Sequence, residues 1–76
     1  MALEVQTIII NKSIARSRAT AMAIARKHIS RIYTSRETND SYRFRQFDPA
    51  QAVKGTYATK SLGNGITIIL AERRHR

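Results

Sequence analysis

"SYRFRQF", residues 41 to 47, decides how this chain folds. Read with the period of a strand, Tyr42, Phe44 and Gln46 fall on one side and Arg43, Arg45 and Phe47 on the other. Rings on one side and guanidiniums on the other describe a half-buried strand of an antiparallel sheet. The chain has only five aromatic residues, and a domain this poor in large hydrophobes needs its rings inside. Tyr42 and Phe44 are therefore expected in the core, with Arg43 and Arg45 turned outward towards an anion.

The flanks extend that strand into a hairpin. "ISRIYTS" before it has β-propensity, and "RETND" is a turn cluster, so residues 29 to 47 read as a β-hairpin with a polar tip that carries Arg36. After it, "DPAQAVKG" reads as a short helical turn. Asp48 is the cap, Pro49 takes the first helical position, Gln51 completes a capping box and Gly55 ends the turn. A second hairpin follows, "TYATKSL" and "ITIILAE" joined by "GNG", with Asn64-Gly65 as the type I′ signal. Ile66, Ile68 and Leu70 point one way and Thr67, Ile69 and Ala71 the other, a pattern suited to the interior of a sheet or to an interface.

Towards the N-terminus, residues 3 to 10, "LEVQTIII", read as a further strand. Residues 11 to 28, "NKSIARSRATAMAIARKH", are alanine-rich without glycine or proline and read as the one substantial helix. Asn11 and Ser13 are its candidate caps, and Arg26, Lys27 and His28 suit the negative pole at its end. Its packing stripe is Ile14, Ala21, Met22 and Ala25, with Arg16, Arg26 and Lys27 facing away. Arg18 falls within the stripe and is read as snorkelling at its edge or pairing with a carboxylate. The fold class is thus α+β, one amphipathic helix on a small antiparallel sheet. The order is strand, helix, two strands, short helical turn, two strands. Residues 1 to 72 form a single domain, and residues 73 to 76 a basic flexible tail.

Charge carries the functional reading. Of 76 residues, 14 are Lys or Arg and 5 are Asp or Glu, for a formal charge of +9. Ten of the basic residues are arginine, the side chain that binds phosphate bidentately and stacks on bases. Such a surplus repels itself and attracts polyanions. The five carboxylates are scattered, and no serine elbow or phosphate-cradling loop is present. With no cysteine and two distant histidines, neither a disulfide framework nor a metal site is expected. "HISR", residues 28 to 31, is similar to the H-x-x-R string of the tyrosine recombinases, but 76 residues cannot hold that catalytic domain. The longest apolar run is Ile8-Ile9-Ile10, too short for a membrane span, and "MALEVQT" lacks the basic region of a signal peptide. A cytoplasmic protein, intracellular and not secreted, with no membrane partner is expected.

The reading that follows is a small non-enzymatic nucleic-acid-binding protein, for DNA or RNA, that grips the phosphate backbone without a cofactor. Its candidate contacts come from three places. The first hairpin offers Arg31, Arg36, Arg43 and Arg45; the helix offers Arg16, Arg26 and Lys27; the tail offers Arg73 and Arg74. The alternative is a protein–protein interaction module: a homodimeric or larger subunit, or an inhibitor docking on an acidic protein or nucleoprotein complex.

Overall fold

The computed structural model describes residues 3–74. Five strands, β1 (Leu3–Asn11), β2 (Thr34–Glu37), β3 (Ser41–Arg45), β4 (Ala58–Gly63) and β5 (Ile66–Glu72), form one antiparallel sheet in the order β2-β3-β1-β5-β4. A single helix, α1 (Arg18–Ala25), packs on β1 and β3. The α+β fold read from the sequence is therefore the fold of the protein.

Burial sorts the strands by face. Ile8 and Ile10 of β1, Tyr42 and Phe44 of β3 and Ile68 of β5 meet Ala21 and Ala25 of α1 in one buried cluster. Alanine at both fully buried helical positions lets α1 lie close to the sheet, with Met22 and Ile24 packed at its margin. The core is correspondingly thin, and Phe44, Ile8 and Ile10, all at 0 % exposure, form its centre. Ile29 closes it from the segment after the helix.

The helix is shorter than residues 11–28. Asn11 does not cap it: it is the last residue of β1, and its N–H donates to the Gly65 carbonyl at 2.8 Å. The Asn11 side chain instead accepts from the Ser13 N–H, bending the chain out of the sheet in an Asx turn. Ser17 is the actual cap, accepting from the Thr20 N–H. Sheet pairing at Asn11 thus overrides the helical propensity downstream of it. Ile14 in consequence lies outside the helix and is exposed, while Ala15 is buried in its place. Arg18 is the first helical residue and is exposed, so no charge sits on the packed stripe. Arg26, Lys27 and His28 fall in the turn beyond the last helical residue.

The first hairpin is also displaced. Residues 29–33 are irregular, β2 begins at Thr34, and the tip is Thr38-Asn39-Asp40. The cause is a side chain. Gln46 Oε1 accepts from the Ser30 N–H at 2.9 Å, and its Nε2 donates to the Val5 carbonyl at 2.8 Å. That amide takes up the backbone groups a longer ladder would have paired. It also serves β1, where a register shift between Val5 and Thr7 marks a bulge at Gln6. Gln6 is itself buried, and its Nε2 donates to the Phe47 carbonyl at 3.0 Å.

The other turns follow their residues, except that the Gln51 side chain completes no capping box and the 3₁₀ turn ends at Gln51 with Ala52 as its cap, not at Gly55. Asn64 and Gly65 take φ of 51° and 80°, as a type I′ turn requires. Asp48 caps the 3₁₀ turn Pro49–Gln51 through the Ala50 N–H. That turn lies against the face opposite α1, where Phe47, Ala52 and Ala71 form a second small buried cluster. Phe47 is therefore on the arginine side of its strand yet 2 % exposed, because this turn covers it.

Candidate nucleic-acid interface

Strand register assembles the site. Directly opposed residues share a face, so two rows can be followed across the sheet away from α1. One runs Arg36, Arg43, Ile9, Thr67, Ser61; the next runs Thr34, Arg45, Thr7, Ile69, Thr59. Arg36, Arg43 and Arg45 thus converge at the β2–β3 end, and hydroxyl and aliphatic side chains fill the rest. All three arginines are exposed. With Thr34 and Thr38 they line a concavity of about 280 Å³.

Arg36 is consequently not on a hairpin tip. It lies in β2, paired in register with Arg43. Like charges directly opposed across two strands are destabilising, and none of the three arginines forms an ion pair with a described residue. The one ion pair among the described residues is on the other face. There Lys12 Nζ lies 2.7 Å from Glu37 Oε2 and 5.3 Å from the Tyr42 ring centroid. The hydrogen bond from Lys12, helped by its charge and that of Arg18, holds the Glu37 carboxyl below its ordinary range; the same bond raises Lys12. Glu37 is thus committed to Lys12 on the covered face.

A second concavity, of about 130 Å³, is lined by Arg31, Tyr33, Gln46, Phe47, Gln51 and Arg73. Arg73 does not trail away from β5. It bridges Ala52, its guanidinium carbon lies 5.3 Å from the Phe47 ring centroid, and the Arg74 N–H donates to the Gln51 carbonyl. His75 and Arg76, the remainder of the expected tail, lie outside the described residues.

The fold therefore divides the nine basic residues singled out by the sequence. Arg36, Arg43 and Arg45 share one concavity, and Arg31 and Arg73 share the second. Arg74 is exposed just beyond. Arg16, Arg26 and Lys27 are exposed on the segments that flank α1 and join neither concavity. Thr34, Thr38 and Gln51 are lining residues that the sequence reading did not assign to a site. The register of the first hairpin was the missing signal: once the tip is Thr38-Asn39-Asp40, Arg36 must face Arg43 and Thr34 must face Arg45.

No His, Cys, Asp or Glu cluster suited to a metal ion occurs among the described residues, and no helix there is long and apolar enough to cross a membrane. Fold and site together define a small α+β protein whose sheet is covered on one face and carries an arginine-bearing surface on the other. No family model matches the chain, and comparison with curated proteins and with solved structures likewise finds no match.

Proposed function

We propose that this is a non-enzymatic nucleic-acid-binding protein whose open sheet face takes the phosphate backbone. One observation carries the reading: Arg36, Arg43 and Arg45 sit together on that face without a carboxylate partner among the described residues. Three uncompensated guanidiniums cost stability in the free protein, and a bound polyanion removes that cost. Arg43 and Arg45 are two residues apart on one strand, a separation of about 6.8 Å. That spacing suits successive phosphates of one backbone, and guanidinium binds each in bidentate fashion. Threonine hydroxyls around them add neutral donors.

Fluorescence anisotropy against labelled DNA and RNA, from about 50 to about 300 mM salt, tests the proposal. If Arg31, Arg36, Arg43, Arg45 and Arg73 each neutralise one phosphate, the log–log slope is about −3.5 for a single strand and about −4.5 for a duplex. Replacing Arg43 and Arg45 together by glutamine should weaken binding and remove about 1.4 to 1.8 from that slope. Absence of binding at about 100 mM salt overturns the proposal.

A second reading, an interaction module, has its own observation. β4 is an edge strand exposed along its whole length, with Tyr57 and Leu62 exposed beside and within it. Its outer backbone donors and acceptors are open to another chain. A molar mass above that of the monomer in nucleic-acid-free solution supports self-association through this edge, and a monomer removes that form of the reading.

A further inference from the structure

The two concavities on the arginine side are lined by residues that follow one another in the chain. Thr34 and Arg45 are register partners in the first; the next residues, Tyr33 and Gln46, line the second. The Tyr33 N–H donates to the Arg45 carbonyl at 2.7 Å, so no residue intervenes on either segment. Their chemistry differs sharply. The larger holds three guanidiniums and two threonines, whereas the smaller holds two rings, two amides and two guanidiniums.

We propose that the smaller concavity receives one unstacked base of a single-stranded nucleic acid whose phosphates lie on Arg45, Arg43 and Arg36. This rests on the phosphate-binding reading above and adds to it the strandedness of the ligand and a base subsite. Tyr33 supplies the stacking surface. The residue is 50 % exposed, and its hydroxyl, bonded to Asp48 Oδ2 at 3.2 Å, anchors the ring at the far end. Arg73 supplies a second planar wall, held over Phe47 and fixed in backbone position by the bridge to Ala52. Bases stack on both tyrosine and guanidinium planes.

The two amides have different tasks. Gln46 is committed to Ser30 and Val5 and is a fixed wall. Gln51 is exposed, and its side chain bonds no described residue, so a donor and an acceptor are free for a base edge. A volume of about 130 Å³ admits one ring system and not a stacked pair. A duplex keeps its bases stacked inside and cannot fill such a pocket, whereas a single strand can turn one out.

The test compares four labelled probes: oligothymidylate and oligouridylate of about ten nucleotides, an abasic deoxyribose strand of that length, and a duplex. Both base-bearing strands are expected to bind about 5- to 100-fold more tightly than the abasic strand. The thymidylate and uridylate arms separate DNA from RNA as the source of the base. Tyr33→Leu should abolish the advantage of bases over the abasic strand while leaving abasic binding and the salt slope unchanged. Gln51→Ala, on an exposed side chain, should reduce the same advantage without touching the core. Equal affinity for base-bearing and abasic strands, with a slope that still depends on Arg43 and Arg45, overturns the base subsite and leaves the phosphate-binding proposal standing. Failure of every probe to bind overturns both.

Discussion

The two faces of the sheet are made from the same strands under opposite rules. On the covered face, Ile8, Ile10 and Phe44 are fully buried and α1 approaches on alanines, so the row is dry and contributes stability. The one described ion pair also lies on this side, where Lys12 and Glu37 flank Tyr42. On the open face, Arg36 opposes Arg43 with no carboxylate beside them, and what is buried includes Thr7 and the small cluster around Phe47. One face is arranged to lower the energy of the free protein. The other is left with unspent charge, as a surface built for an outside partner would be.

The largest test of that contrast is on the covered face. Phe44→Ala should cost about 3–5 kcal/mol, comparable with the whole stability of a domain this small. Urea unfolding should find the variant largely unfolded; a loss under about 1 kcal/mol would mean the core does not rest on this ring. Phe47→Ala probes dryness on the open face. Its neighbours are two alanines and the Arg73 guanidinium, so the cost should fall near the lower end of that range, about 3 kcal/mol.

Smaller effects sharpen the comparison. Gln46→Ala leaves the Ser30 N–H and the Val5 carbonyl without a protein partner and should cost about 1–3 kcal/mol by the same measurement. Arg43→Thr should move the other way, neutral to stabilising by up to about 1 kcal/mol, because it relieves the opposition to Arg36. A destabilised Arg43→Thr protein would show that the arginine row is structural. The smallest change is expected at Glu37. Its carboxyl is held below the ordinary range, so it contributes stability at pH values above that range, and the contribution is lost as pH falls through the folded-state value. Stability followed from neutral to acid pH should decline slightly less in Glu37→Gln, without the contribution of the Lys12 bond to the acid limb.

Much of this was legible in residues 41 to 47. The alternation of rings and arginines fixes which side of β3 is buried whatever the neighbours are, because successive side chains on a strand must point in opposite directions. Asn64-Gly65 and Asp48-Pro49 were equally readable, since each needs only its own backbone geometry. Helix limits were not. The alanine-rich run from Asn11 is helical by propensity, but Asn11 is claimed by the sheet through Gly65, 54 residues further on. Nor was the first hairpin, where one amide, that of Gln46, takes up two backbone groups, the Ser30 N–H and the Val5 carbonyl.

The sequence by itself determined the fold class, the sidedness of β3 and the excess of arginine. Local periodicity and composition are sufficient for all three. The tertiary structure alone decided which arginines stand together. Arg36 meets Arg43 by hairpin register, and Arg73 shares a concavity with Arg31 beside the turn that covers Phe47. Register and chain return are set by contacts between distant segments, which no local pattern encodes.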